Sequence, residues 1–288
     1  MKRKMRVFTA TLLAVVMMFS LTACGSSDSG TSEGTSQEKK ILKVGMECMN
    51  APYNWSQTDD SNDAVPIQGS SEYVNGYDVM VAKKIAEENG YELQVYKIEW
   101  DGLIMAVQSG TINAIIAGMS ATDERKESVD FSDPYYKAEH VLIVKKDSKY
   151  AGAKSLTDLS GCTVTSQQGT TMYDTSAKQI KGAEIQEALP DIPSLIVAVS
   201  SGRTDVAIVE KPMAMAAVAT NSDLAMVELE EGSGFDVDAG ITNIAVAAKK
   251  GNTDIITACN KTLAGISDEE KDELMQKAIS IQPASDSE

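Results

Sequence analysis

The stretch LIMAVQSGTINAII at residues 103–116 is repeated with small changes as LIVAVSSGRTDVAI at residues 195–208. Both copies share the pattern Leu-Ile-x-Ala-Val-x-Ser-Gly, followed further on by an Asn or Asp and an isoleucine. Each copy is typical of a helix that ends at a glycine and leads into a buried strand. A match of this kind at a fixed offset predicts two α/β lobes of similar plan.

The segments on either side of the repeat extend this plan. In the first lobe we predict a strand at 42–46, a helix at 78–89 and a strand at 91–98. In the second lobe we predict a strand at 163–167 and helices that begin at 170 and 213. Because strands alternate with helices, the sequence favours mostly parallel sheets covered on both faces.

Two apolar runs, His140–Val144 and Ile241–Ala248, have no partner in the repeat. We predict that they are two hinge strands through which the chain crosses between the lobes. The first lobe then comprises residues 41–143 plus 242–288, including two C-terminal helices, and the second comprises residues 144–241. The expected fold class is therefore α/β, with a ligand cleft between two lobes.

The N-terminal segment has the features of an export signal. Four basic residues precede an apolar run, which ends in Leu-Thr-Ala before Cys24. We predict a signal peptide at 1–23, lipid on Cys24 as a membrane anchor, and a flexible linker at 24–40 that is rich in Ser, Gly and Thr. The alternative is an ordinary signal peptide whose cleavage site happens to include a cysteine.

Charge and residue usage exclude several classes of function. Residues 1–23 carry four positive and no negative charges, so their removal changes the formal charge from −16 to −20, which argues against nucleic acid as a partner. Cys48, Cys162 and Cys259 have no zinc spacing and form either one disulfide or, as we favour, three buried thiols. The single histidine, His140, lies in a predicted strand. We therefore expect no Ser-His-Asp chemistry, metal site or cofactor.

The repeat also predicts where a ligand binds. In open α/β sheets the ligand lies beyond the carboxyl ends of the strands, so the segments 117–120 and 209–211 should face each other across the cleft. A short helix that carries Arg125 follows the first segment, and a guanidinium suits a carboxylate. Glu210 offers a negative charge, and the loop 167–171 offers amides and hydroxyls. These groups match the two ends of a zwitterionic α-amino acid.

Each of these residues also has a purely structural interpretation. Arg125 could pair with a neighbouring surface acid such as Asp123. Glu210 could be a solvated strand end, and the loop at Gly169 could be a simple turn.

Several motifs resemble one family over nearly the whole chain. They are WDGLI at 100–104, IIAGMS at 115–120 with Arg125, FSDPYY at 131–136, GYDV at 76–79, QGTT at 168–171, and DVAI at 205–208 with Pro212. Together they are similar to the family 3 extracellular solute-binding proteins, the receptors of polar amino acid ABC importers. The resemblance implies a type II periplasmic-binding-protein-like fold whose lobes close on the ligand. It also implies a permease as partner and no enzymatic activity.

The same resemblance implies roles for residues of the cleft. Gly118 and Ser120, with Met119 between them, would hold the ligand amine, and Arg125 would hold its α-carboxylate. Thr170 and Thr171 would close from the second lobe. Glu210 would take the place of the aspartate that binds the amine in the family.

This chain departs from the family pattern at three points. Glu210 is one methylene longer than the usual aspartate. Asn50 stands where an aromatic lid residue is common, which leaves Tyr53 and Trp55 to cover the ligand. The segment 57–73 is longer than usual.

Side-chain specificity should depend on Glu47, Asn50, Trp55 and Gln167. Glu47 and Trp55 favour a cationic side chain, as in arginine or lysine, while Gln167 suits glutamine equally well. We expect a monomeric, lipid-anchored importer receptor outside the cytoplasm. The alternatives are a dehydratase on the same scaffold and a ligand sensor.

Overall fold

The computed structural model describes residues 40–283, so the predicted signal peptide, the predicted lipid on Cys24 and nearly all of the predicted linker lie outside the described residues. The strands are β1 Lys40–Met46, β2 Met49–Asn50, β3 Asn54–Gln57, β4 Val65–Pro66, β5 Tyr73–Asn75, β6 Tyr91–Lys97, β7 Ala114–Ile115, β8 Val129–Lys137, β9 His140–Lys145, β10 Thr163–Thr165, β11 Glu184–Ile185, β12 Val206–Glu210, β13 Leu224–Val227 and β14 Asn243–Lys249. The helices are α1 Tyr77–Asn89, α2 Leu103–Ser109, α3 Asp123–Ser128, α4 Ile192–Ser200, α5 Lys211–Thr220, α6 Ala239–Thr242, α7 Thr253–Leu263 and α8 Asp268–Ile281.

Two five-stranded sheets form the centres of two lobes. The first has the order β6-β1-β7-β14-β8 and the second β11-β10-β12-β9-β13. In each sheet the first three strands are parallel, and the last two join through antiparallel pairings. The two lobes of similar plan are confirmed. In each sheet only the fourth strand, β14 or β9, runs against the other four, so two of the four pairings are parallel and the prediction of mostly parallel sheets holds in part.

The antiparallel strands result from the way the chain enters each lobe. Glu210, the last residue of β12, pairs with His140, the first residue of β9. A strand that enters a lobe at the cleft must run away from the cleft, whereas the parallel strands run toward the cleft. The runs predicted as hinge strands are His140–Val144 and Ile241–Ala248. They correspond to β9 and β14, which are equivalent to each other because each is the fourth strand of its sheet.

The chain crosses between the lobes outside these strands. β8 ends at Lys137 in the first sheet and β9 begins at His140 in the second, so the first crossing is at residues 138–139. The return crossing lies between β13 and β14. Sheet membership thus moves the first lobe boundary from residue 143 to residue 139. An apolar run indicates a buried strand, and it does not show on which side of the strand the chain crosses.

The repeat units bury the faces that their pattern predicts. Leu103 and Val107 in α2, and Leu195 and Val199 in α4, have no exposed surface, as expected for apolar residues four positions apart on one helix face. Each helix is followed by the strand, β7 or β12, whose end lies at the cleft. The two copies therefore bring two equivalent loops to the same place.

Three further features complete the fold. The small sheet β2-β3-β5-β4 contains the segment that follows β1, and the C-terminal helices α7 and α8 contact α1, as predicted for the first lobe. Cys48, Cys162 and Cys259 are buried and unpaired, which confirms the three-thiol alternative. Between residues 40 and 283 no helix is long and apolar enough to cross a membrane.

Candidate functional site

A polar cleft lies where the carboxyl ends of the two sheets meet. The loop at Gly118 follows β7, and Glu210 is the last residue of β12. Gly118 has a φ of +65°, and a Cβ there would lie 3.3 Å from the ring of Tyr53. Glycine is therefore required where the chain turns into the cleft. The Tyr53 hydroxyl donates a hydrogen bond of 2.5 Å to Oε2 of Glu210 in the opposite lobe.

Residues from both lobes line this cleft. They are Asn50, Trp100, Gly118, Ser120, Arg125, Gln167, Thr170, Thr171, Met172, Glu210 and Met213. The space open to the centre of a water molecule is about 10 Å³, which is room for roughly one water. The lobes are therefore closed on each other, and an amino acid can enter only if they separate.

Arg125 links the two lobes at one side of the cleft. The side chain of Thr122 caps α3 by accepting a hydrogen bond from the Arg125 backbone N–H at 3.2 Å, which fixes the start of this helix. The guanidinium donates to the carbonyl of Ser120 at 2.9 Å and to the carbonyl of Gly169 at 3.0 Å. It also lies over the Trp100 ring, 5.2 Å from its centroid. This side chain thus belongs to the cleft and is not a surface partner of Asp123.

The loop 167–171 faces Arg125 from the second lobe. Thr170 and Thr171 are buried, and the Thr170 hydroxyl donates to the carbonyl of Gln167 at 2.7 Å. Gly169, at a φ of +65°, accepts from Arg125 and also from the indole N–H of Trp100 at 3.2 Å. The predicted helix after Thr170 is one π-helical turn, Met172–Ser176, followed by a 3₁₀ turn.

Two glutamates are buried in or directly beside the cleft. Burial raises the pKa of Glu210 to about 7, although the Tyr53 hydroxyl opposes this shift. Burial likewise raises the pKa of Glu47 to about 7, and its Oε1 accepts from the Gln167 amide at 2.8 Å across the lobes. Both side chains can therefore bind or release a proton near neutral pH.

Two buried acceptors in this region have no partner. They are Oε2 of Glu47 and Oδ1 of Asn50, and both residues are only 2% exposed. A buried acceptor without a hydrogen bond is costly, so a donor from a bound water or ligand would stabilise these two atoms.

The structure does not bring every predicted residue to the cavity wall. Tyr53 and Glu47 lie one hydrogen bond behind it, and Met119 is buried with its carbonyl bonded to Ala245. Trp55 lies in β3 with its indole N–H on Gln57, away from the cavity wall. The aromatic side chain at the cleft is Trp100 instead. Its place just before the first repeat unit, at the cleft end of the lobe, was the signal that could have identified it.

Larger depressions are also present. One of about 380 Å³ adjoins the cleft and shares Arg125, Thr170 and Thr171 with it, and two others lie elsewhere on the surface. One, of about 810 Å³, lies beside the crossings next to Glu139 and Phe235, and one, of about 680 Å³, lies between β8 and α7. Both are more open than the cleft and lack charged side chains converging from two lobes. In the part of the chain that the structure covers, no group of three or more His, Cys, Asp or Glu side chains could hold a metal ion.

Two α/β lobes that are joined by two crossings and close over a small polar cleft define a two-lobed solute-binding protein of the type II periplasmic plan. A profile of the bacterial extracellular solute-binding proteins, family 3, matches residues 42–280. This chain belongs to that family.

Individual relatives are similar over most of their length. The arginine-binding extracellular protein ArtP of Bacillus subtilis is 33% identical over 283 residues, which cover 95% of this chain and 97% of that protein. An L-arginine-bound substrate-binding protein, AbpA of Streptococcus pneumoniae, is 32% identical with a TM-score of 0.69, covering 83% of this chain and 94% of that one. An ancestral amino acid-binding protein, described as a precursor of cyclohexadienyl dehydratase, is 28% identical with a TM-score of 0.67, covering 83% and 95%.

Proposed function

We propose that this chain is the extracytoplasmic substrate-binding lipoprotein of an amino acid ABC importer, which captures a polar L-amino acid and delivers it to the permease. The observation that carries the proposal is the pair of opposite charges in one closed cleft, Arg125 from the first lobe and Glu210 from the second. They complement an α-carboxylate and an α-ammonium group. The named arginine-binding relatives support the same class of ligand.

A cationic side chain on the ligand fits the remaining groups of the cleft. Asn50 at the cavity wall and Glu47 directly behind it present unpartnered acceptors, and Glu47 also supplies negative charge. A guanidinium has five N–H donors and an ammonium has three, so either satisfies several acceptors at once. Gln167 supports the competing choice of glutamine, but its amide is already bonded to Glu47 and to the carbonyl of Pro190 at 3.0 Å. We therefore favour arginine or lysine.

Thermal unfolding in the presence of each protein amino acid tests this function. A ligand at about 100 times its dissociation constant adds roughly 2.7 kcal/mol to the unfolding free energy, so the melting temperature rises. We expect the largest rise with L-arginine or L-lysine. A larger rise with glutamine would assign specificity to Gln167. The absence of any rise across all the amino acids would refute the proposal.

An enzyme on this scaffold is the second candidate. It is favoured by Glu210, whose raised pKa of about 7 suits a general acid, and by the relative described as a dehydratase precursor. We propose that the chain is not an enzyme, since the same glutamate accepts a hydrogen bond from Tyr53 and complements an ammonium group. Incubation with a cyclohexadienyl carboxylic acid should leave its absorbance unchanged. Formation of an aromatic product would favour the enzyme.

We also propose that the protein is a monomer held at the membrane by lipid on Cys24. The support for this anchor is the sequence around Cys24 alone. Mass spectrometry of the native protein should find an acylated N-terminal cysteine, and Cys24→Ser should release the protein into the medium. An unmodified N-terminus would refute the anchor without affecting the ligand site.

A further inference from the structure

A buried carboxylate behind the cleft connects the segments that carry the proposed ligand groups. Asp78, in the first turn of α1, has no exposed surface. Its Oδ1 accepts from the Tyr135 hydroxyl at 2.6 Å, and its Oδ2 accepts from the Asn54 amide at 2.8 Å. Its backbone N–H donates to the carbonyl of Tyr53 at 2.9 Å. Asp78 therefore joins two other segments of the first lobe to α1, the one that contains Tyr53 and Asn54 and the one that contains Tyr135.

The first connection leads to Gly118. The Tyr135 hydroxyl, while donating to Asp78, accepts from the Gly118 backbone N–H at 2.9 Å. This bond fixes the peptide that precedes Gly118, and with it the left-handed turn at Gly118, which lines the cleft. Because glycine has no side chain to restrict its φ and ψ, an outside contact has to hold that turn in place.

The second connection leads to Glu47. The Asn54 side chain donates to Asp78 and accepts from the Cys48 backbone N–H at 2.7 Å. Cys48 has a φ of +59°, which is rare for a residue other than glycine and has to be held by its surroundings. The N–H that Asn54 holds belongs to the peptide between Glu47 and Cys48, so this bond also fixes the backbone of Glu47. The third connection, to the carbonyl of Tyr53, fixes the residue whose hydroxyl bonds to Glu210.

The charge of Asp78 also reaches the cleft. Asp78 is one of the groups that raise the pKa of Glu210, so the two carboxylates interact through the protein interior. A cation beside Glu210 is attracted by both. A buried carboxylate contributes little to stability on balance, because its desolvation offsets the hydrogen bonds that it accepts. Its contacts with the Tyr53–Asn54 segment and with Tyr135 nevertheless connect it to residues of the ligand site.

We propose that Asp78 is the positioning residue of the ammonium subsite, which holds the Gly118 turn through Tyr135 and adds its negative charge to that of Glu210. The proposal rests on the proposed function, since it takes the ligand to be an α-amino acid. Asp78 itself does not contact the ligand. Its effect should therefore depend on whether the ligand carries an α-ammonium group.

Two ligands that differ only in that group test the proposal. They are L-arginine and 5-guanidinopentanoic acid, which is arginine without its α-ammonium. Tyr135→Phe removes the hydroxyl that joins Asp78 to Gly118, and it should weaken arginine binding about tenfold in calorimetry. Asp78→Asn removes the charge and should weaken it at least as much. Binding of 5-guanidinopentanoic acid should change less than twofold in both variants.

Tyr77→Phe is the matched control. It removes a buried hydroxyl that donates to the backbone carbonyl of Tyr135 at 2.7 Å and leaves the Asp78 connections intact. This variant should lose stability in thermal unfolding but keep the wild-type ratio of the two dissociation constants. If Tyr135→Phe weakens both ligands equally, or if Tyr77→Phe changes the ratio as much as Tyr135→Phe does, the proposal is overturned.

The same experiment separates this proposal from the proposed function. If the thermal screen selects another amino acid, that amino acid and its des-amino acid replace the pair. Wild-type protein that binds no amino acid refutes the function and this inference together. If the wild-type protein binds an amino acid but the variants leave the ratio of the two dissociation constants unchanged, only this inference is refuted.

Discussion

Lowering the pH from 8 to 6 should weaken the binding of a cationic amino acid about 100-fold. Burial raises the pKa of Glu47 and that of Glu210 to about 7, and a cationic ligand requires both groups as carboxylates. For a group with a pKa of 7, the competition with protons weakens binding about tenfold over this interval. If both groups titrate independently, the two tenfold factors multiply, and the affinity falls about 100-fold.

The stability of the protein without ligand should change in the opposite direction. An ordinary glutamate has a pKa of about 4.3, so between pH 4.3 and 7 the folded protein holds protons that the unfolded chain has released. The unfolding free energy therefore falls as the pH rises through this range, by up to about 1.4 kcal/mol per pH unit for each group. Asp78 adds to the effect at lower pH, because burial raises its pKa to about 6. Urea titrations from pH 5 to 8 measure this slope.

Calorimetry in two buffers of different ionisation enthalpy measures the protons released on binding. At pH 7 about half a proton should leave each glutamate. The only histidine, His140, does not interfere, because burial lowers its pKa to about 4. Glu210→Gln should remove half of the release, whereas Glu230→Gln, at an exposed glutamate paired with Lys154, should remove none. Constant affinity from pH 8 to 6, with no proton release, would refute the reasoning.

Three further predictions concern single residues. Arg125→Ala should weaken L-arginine binding by at least about 2 kcal/mol in calorimetry, because a carboxylate loses a charge-assisted pair, and an unchanged dissociation constant would exclude Arg125 from the site. Gly118→Ala should lower the unfolding free energy in urea by about 1–2 kcal/mol from its positive φ, and by more from contact with Tyr53. Gly110 also has a positive φ, but the space around it is open, so Gly110→Ala should lower the unfolding free energy only by the cost of the positive φ. Equal losses in the two variants would show that contact with Tyr53 adds nothing. Glu47→Gln should reduce affinity for arginine more than for glutamine in competition assays, and equal reductions would mean that Glu47 does not select charge.

The part of the site that sequence predicts best is the part that follows from sheet geometry. The repeat places Ser120 and Glu210 after strands that point toward the same edge, and the carboxyl ends of parallel strands determine where a ligand can bind. Arg125 follows because α3 begins at Asp123, three residues after Ser120 and directly after the Thr122 cap. Local patterns were sufficient here because every step involves residues close in sequence or related by the repeat.

The remaining features depend on contacts between distant residues. The direction of the Trp55 side chain follows from the pairing of β3 with β5, where Trp55 lies opposite Asn75, and no local pattern reports that pairing. The hydrogen bond between Asp78 and Tyr135 joins residues 57 positions apart. The first crossing differs from the prediction for a related reason. β9 pairs with β12 in the second sheet, so the chain has crossed before residue 140, and this pairing joins residues far apart in the sequence.

The small volume of the closed cleft has a consequence for the rate of ligand exchange. Hydrogen bonds cross between the lobes from Tyr53 to Glu210, from Gln167 to Glu47, from Gln168 to Asp101, and from Trp100 and Arg125 to Gly169. No solute larger than water fits in the cleft as it stands with these bonds intact. The residence time of a bound ligand is therefore set by the frequency of lobe opening, and a permease that pulls the lobes apart would control release without touching the ligand.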